Sequence, residues 1–295
     1  IPFFSSATPG LSSSTIVLLQ LWLEDYSQVH LILPLFPNLL ELSLQFPAST
    51  SLLELASTVP VAPSNSILQP RNLNRLSVRG NFTVPSVCQI VASTEAKVTT
   101  LWGVAVHDGL RVLRNSERME SLTVSCNDGD EASQDHGRAL IKLAKVKELI
   151  LYRGIRVERT FFTDLFKSNP GLKYLSLSHE FPLVASDLIS GIKSNPIVDL
   201  VLVLDFVNSV NNGDDDEDED DLDDVDWPDG CQPEDVRAIM ACGAEEKMEV
   251  IGSAVDIIDR LDERHEREYE DWYENHANSE DEGDGEGEGE DEYSD

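Results

Sequence analysis

The pattern apolar-x-x-apolar-x-apolar recurs along the N-terminal part of the chain. It is carried by Leu18/Leu21/Leu23, Leu39/Leu42/Leu44, Leu73/Leu76/Val78, Val98/Leu101 (with Gly103 in the third place), Met119/Leu122/Val124, Val146/Leu149/Leu151, Leu172/Leu175/Leu177 and Ile197/Leu200/Leu202. The first anchors lie 21, 34, 25, 21, 27, 26 and 25 residues apart. Within each copy, apolar and polar residues alternate, the period-two signature of a half-buried strand. Between copies, Arg138–Lys145 and Thr160–Lys167 place their apolar residues at helical spacing, and Asn169-Pro170 stops the second of these helices. The tetrapeptide Lys167-Ser168-Asn169-Pro170 returns 26 residues later as Lys193-Ser194-Asn195-Pro196, a further mark of internal repetition. The 34-residue gap holds Pro60, Pro63 and Pro70 and reads as a loop insertion.

All but one of these spacings fall within the roughly 20–29 residues of leucine-rich repeats. The expected fold is therefore α/β: an irregular leucine-rich-repeat solenoid over residues 15–206, a parallel strand ladder with helical or loop returns. A single unit cannot hide its apolar face, so stacking on the next unit must bury it. The rival is an ordinary doubly wound sheet. Its units usually need more than about 25 residues, and its strands read as continuous apolar runs. The repeats are irregular because the Asn that usually follows the strand is missing from each of them.

Charge divides the chain. Residues 1–204 hold 18 acidic and 17 basic side chains, whereas residues 205–295 hold 37 and 5, a net −32 out of −33 for the whole. Asp214–Asp226 alone has 11 acids in 13 positions. No basic field exists to neutralise phosphates, which argues against nucleic acid and against anionic membrane as partners. Basic proteins remain compatible with the acidic tail. The organisation expected is a flexible segment at 1–14, the solenoid at 15–206 and an acidic linker at 207–232. A helical segment at 233–276 and a disordered acidic tail at 277–295 follow. In the helical segment Val250, Ile251, Ala254, Val255, Ile258 and Leu261 form one stripe, suited to covering the last repeat or to binding a partner. The four cysteines, Cys88, Cys126, Cys231 and Cys242, are scattered, as in reduced cytoplasmic or nuclear proteins. The first residue is Ile1, with no signal-peptide pattern, and the expectation is that an upstream domain is missing.

Phe36-Pro37-Asn38-Leu39-Leu40-Glu41-Leu42-Ser43-Leu44 and Ser168-Asn169-Pro170-Gly171-Leu172-Lys173-Tyr174-Leu175-Ser176-Leu177 are similar to the repeats of fungal F-box/leucine-rich-repeat proteins. The resemblance covers about residues 15–206. It implies a substrate receptor of a cullin-type ubiquitin ligase, in which an F-box docks the ligase adaptor and the repeats hold the substrate. No F-box helices precede Leu18, so the adaptor would bind through a segment upstream of Ile1. The acidic C-terminal region also resembles that of acidic leucine-rich nuclear proteins, which implies histone-chaperone-like binding of basic proteins.

No enzyme motif is present: neither G-x-x-x-x-G-K-[ST], nor G-x-S-x-G, nor H-E-x-x-H occurs. The six histidines are dispersed and none pairs with cysteine at zinc spacing. Asp214, Asp216 and Asp218 have calcium-loop spacing, but Glu219 occupies the turn position that needs glycine. No catalytic residue, metal site or cofactor is therefore expected. What remains is the concave face, formed by the residues between and just after the anchors. There Trp22, Arg75, Arg79, Trp102, Tyr152 and Tyr174 are the residue types that anchor protein interfaces. The bland reading for Trp22 and Trp102 is packing against flanking loops.

Overall fold

The computed structural model describes residues 16–23, 35–46, 73–82, 96–104, 118–126, 140–141, 146–152, 155, 157–178, 181, 183–195, 197, 199–205, 225, 227, 231–246 and 248–277. The expected N-terminal segment, the proline-rich insertion, most of the acidic linker and residues 278–295 lie outside them. Among the described residues nine strands form one open sheet: β1 (Leu18–Trp22), β2 (Glu41–Gln45), β3 (Arg75–Phe82), β4 (Val98–Val104), β5 (Ser121–Cys126), β6 (Glu148–Leu151), β7 (Tyr174–Ser178), β8 (Val201–Asp205) and β9 (Glu249–Ile251). Each strand pairs with the next one in the chain, and every pair is parallel. Four helices are also described: α1 (Phe161–Ser168), α2 (Ala185–Ser194), α3 (Pro233–Glu245) and α4 (Ser253–Ala277). One strand per repeat, in sequential parallel order, is what the anchor spacing predicts.

The register arranges the core in columns that run across the strands. One column is Leu19, Leu42, Leu76, Thr99, Leu122, Leu149, Leu175, Leu202 and Val250. The next is Leu21, Leu44, Val78, Leu101, Val124, Leu151, Leu177 and Leu204. From β2 to β8 both columns are buried. Each large side chain removed from water there contributes roughly 1.5–3 kcal/mol.

Three strands sit two residues away from the anchors read in the sequence. In β1 the core positions are Leu19 and Leu21, and Leu18 is 60% exposed. In β4 they are Thr99 and Leu101, with Ala96 buried ahead of them, so Val98 belongs to the outer face. In β8 they are Leu202 and Leu204. The physical reasons differ. Ala96 and Thr99 are weakly apolar, so Val98 mimics an anchor. The run Val201-Leu202-Val203-Leu204 does not alternate in polarity, so it carries no register information. Thr99 Oγ1 is a buried hydroxyl without a hydrogen-bond partner among the described residues, in a column otherwise made of aliphatic side chains.

Helices α1, α2 and α3 form a layer, α1 against α2 and α2 against α3. Helix α1 turns Phe161, Phe162, Leu165 and Phe166 into the core. Phe162 meets Phe181 at 6.1 Å between ring centroids. The helices approach closely at Gly191, where an added Cβ would lie 2.9 Å from the Phe162 carbonyl carbon. The first turn of α1 has no side-chain cap of its own. Asp187, from the next unit, supplies it. Its carboxylate accepts from the Phe162 N–H at 2.7 Å and the Thr163 hydroxyl at 2.8 Å, with the Thr163 N–H at 3.4 Å. This satisfies orphan donors at the positive end of the helix. The duplicated tetrapeptide ends both helices. The N–H groups of Asn169 and Asn195 donate to the carbonyls of Leu165 and Gly191. The buried Asn169 amide also donates to the carbonyl of Ile141 in the preceding unit at 3.1 Å.

The C-terminal segment is helical with an interruption. Val250 and Ile251, expected on a helical stripe, instead lie in β9 and extend the sheet beyond β8. Their β-branched side chains suit a strand, and Gly252 at φ +115 lets the chain turn against the Leu204 backbone, which an added Cβ would approach to 2.9 Å. The Ser253 N–H at the start of α4 donates to Asp205 Oδ1 at 3.1 Å, a second cap from a neighbouring element. Ala254, Ile257 and Ile258 join the core. Arg237 of α3 holds Asp262 of α4 at 2.6 Å. Val203 is buried, and β9 and α4 both adjoin its strand.

Two substitutions test these contacts by thermal denaturation. Asp187→Ala strands buried N–H groups and is expected to destabilise the fold by about 1–3 kcal/mol. Thr99→Val keeps the shape and removes the unpartnered hydroxyl. It is expected to stabilise the fold by about 1 kcal/mol, a rise in Tm of roughly 2–4 °C. A lower Tm for Thr99→Val would show that the hydroxyl is hydrogen-bonded.

Candidate functional site

In a strand with one face in the core, alternate residues must point the other way. The outer face therefore consists of three columns fixed by the register. The column nearest the strand starts reads Leu18, Glu41, Arg75, Val98, Ser121, Glu148, Tyr174, Val201 and Glu249. The middle column reads Gln20, Ser43, Ser77, Thr100, Thr123, Ile150, Ser176, Val203 and Ile251. The third reads Trp22, Gln45, Arg79, Trp102 and Ser125, and Tyr152 continues it beyond the end of β6.

All six residues expected at a binding surface lie on this face, but not in one cluster. Trp22, Arg79, Trp102 and Tyr152 share the third column. Arg75 and Tyr174 share the first, four residues back along the strands, or about 13 Å. Trp22 is 74% exposed and Arg75 and Arg79 are exposed, whereas Trp102, Tyr152 and Tyr174 are half-buried. Trp102 and Tyr152 flank Ser125 from either side. Their rings meet with centroids 4.6 Å apart, tilted by 43°. Ser125 beneath them is only 3% exposed. Trp102 thus packs on a neighbouring ring of the same face, while Trp22 stands clear.

Between these two rims lies a floor that sequence reasoning missed. From β2 to β5 the middle column is Ser43, Ser77, Thr100 and Thr123, four short hydroxyl side chains in a row. Taking Val98 and Leu101 as anchors sets Thr100 two residues out of step with Ser43, Ser77 and Thr123 and breaks the row. In β2, β3 and β5 the signal was a small polar residue between two aliphatic core positions; in β4 Thr99 replaces one of them. Short hydroxyls between a rim of Glu41, Arg75, Val98 and Ser121 and a rim of Gln45, Arg79, Trp102 and Ser125 make a shallow trough with donors and acceptors along its length. It runs across the strands.

The electrostatics at the strand entries are mixed. Lys147 Nζ lies 3.0 Å from Glu120, and this hydrogen bond, followed by the Lys147 charge and then Lys97, holds the Glu120 carboxyl below its ordinary value. Both partners are exposed, so the pair orders the surface more than it stabilises the fold. Neither described thiol offers a nucleophile. Burial, then the Asp235 carboxylate, pushes Cys231 up to about 12, and burial also raises Cys242. Among the described residues no group of His, Cys, Asp and Glu side chains could hold a metal ion. Nor is any described helix long and apolar enough to cross a membrane. Trp227, beside the acidic run, is half-buried and packs against the core. No protein-family model matches the chain, and no curated protein is significantly similar to it.

The Trp102–Tyr152 contact can be measured directly. In a double-mutant cycle of Trp102→Ala and Tyr152→Ala, unfolding free energies are expected to show a coupling of about 0.5–1.5 kcal/mol. Strict additivity would mean that the rings do not touch in solution.

Proposed function

We propose that this chain is a non-enzymatic protein-binding module, an irregular leucine-rich-repeat solenoid whose concave sheet face holds an extended protein segment. The observation that carries this reading is the trough. A hydroxyl floor gives hydrogen bonds to a peptide backbone, and Arg75, Arg79 and Trp102 on its rims, with Trp22 and Tyr174 on strands further along the same face, are hot-spot residue types. Strand spacing near about 4.8 Å sets the interval between successive hydroxyls along the floor. The repeat sequences support an F-box/leucine-rich-repeat substrate receptor of a cullin-type ubiquitin ligase, acting in the cytoplasm or nucleus. In that reading the adaptor is engaged by an F-box upstream of Ile1 and the substrate by the trough.

A second reading is an acidic, histone-chaperone-like binder of basic proteins. It is favoured by the net −32 carried by residues 205–295. The two readings place the partner on different surfaces.

The test of the first reading is affinity purification of the full gene product, wild type against Trp22→Ala/Arg79→Ala. The ligase adaptor is expected with both proteins, and the substrate is expected to fall by about tenfold or more with the variant. Absence of the adaptor from both preparations would remove the ubiquitin-ligase role. A set of bound proteins unchanged by the variant would remove the trough.

A further inference from the structure

Helix α4 has two unlike halves. The first is anchored, with Ala254, Ile257 and Ile258 in the core and Asp262 held by Arg237. The second carries large aromatic side chains in solvent: Tyr269, Trp272 and Tyr273 are 65%, 54% and 60% exposed. With His276 they occupy positions i, i+3, i+4 and i+7, which share one helix face. The rings are already ordered against one another. Trp272 stacks on Tyr269 at 6.3 Å and 27°, and on His276 at 4.3 Å and 23°. His276 Nδ1 lies 2.8 Å from the Trp272 carbonyl oxygen. By helical periodicity Glu266 and Glu270 border one side of this stripe and Glu268 the other.

Solvent alone does not account for three large rings on one stripe of an otherwise charged helix. Aromatic faces attract cations, and adjacent carboxylates add to the negative potential. The flanking charge, within a region of net −32, repels acidic proteins, nucleic acid and anionic membrane alike. We propose that the distal half of α4 is a docking site for a Lys/Arg-rich protein segment. Its cations lie over Tyr269, Trp272 and Tyr273 and pair with Glu266 and Glu270, since Glu268 already faces Arg264 at 3.8 Å. The proposal rests on the second reading above and gives it a structured site distinct from the acidic tail. It is independent of the trough.

The probe is a fluorescently labelled Arg-Gly repeat peptide, titrated into the full chain at physiological salt and followed by anisotropy. Trp272→Leu/Tyr273→Leu keeps helix-forming, apolar side chains, and circular dichroism checks that the helix persists. This variant is expected to weaken Kd by about tenfold, the loss of two cation–ring contacts. Glu266→Gln/Glu270→Gln is expected to weaken it and to flatten its salt dependence. Removing residues 278–295 leaves every described element intact and is expected to change Kd by less than about threefold, since Tyr269, Trp272, Tyr273, Glu266 and Glu270 all remain. If the ring variant binds like wild type and the tail deletion abolishes binding, the acidic-binder reading stands and the α4 site falls. Loss of binding in Trp22→Ala/Arg79→Ala would move the peptide to the trough and overturn the proposal. A wild-type dimer that Trp272→Leu/Tyr273→Leu dissolves would assign the stripe to a second copy of the chain, with the same consequence. Absence of any binding by wild type would overturn both the site and the acidic-binder reading.

Discussion

Every interior strand of this protein takes its hydrogen bonds from the units on both sides of it. The backbone of β5 is satisfied only by β4 and β6, and its Leu122 and Val124 lie in columns that continue through both neighbours. A unit is therefore not a stable object, and the fold exists only as a stack. The same dependence recurs outside the sheet. Asp187 of one unit caps the helix of the preceding one. Asn169 ties the end of that helix to Ile141, one unit earlier still. Asp205 at the end of β8 opens α4. Polar side chains thus repeat between helices and loops the sharing that the ladder performs between strands. The irregular spacing of the repeats is tolerated because the returns vary while the strand register stays in step.

That distinction explains what could be read from residues alone. A period of two reports which face a side chain occupies, so the outward placement of Trp22, Arg75, Arg79, Trp102, Tyr152 and Tyr174 was legible. A two-residue slip leaves the face unchanged, so the pattern could not tell Leu21/Leu23 from Leu19/Leu21 as the core pair of β1, or Leu101/Gly103 from Thr99/Leu101 in β4. For those six the face was right and the columns were not, while Leu18 and Val98, read as anchors, lie on the outer face. The separation of Arg75 and Tyr174 from the other four candidates, and the hydroxyl floor, became visible only with the register. The helix caps were illegible for another reason. The repeated Lys-Ser-Asn-Pro marked two helix ends, but the acceptor of the Asn169 amide lies 28 residues away in sequence. β9 was hidden because Val250 and Ile251 stand just before a strongly amphipathic helix and share its apolar spacing.

The two ends of the sheet are unlike, and this limits the symmetry open to the molecule. At one end β9 is three residues long, begins with Glu249 and runs directly into α4 through Gly252. A short, charged strand followed at once by a helix is a poor template for another chain. At the other end, among the described residues, no strand pairs with the outer side of β1, and Val17, Leu18 and Trp22 are exposed there. Head-to-tail stacking of one molecule on the next would need both ends and would grow without limit. With β9 closed off, β1 is the one open edge among the described residues, and a pairing of two such edges would meet across a two-fold axis. Such a pairing uses up both free edges at once, so it stops at two copies instead of propagating into a fibre.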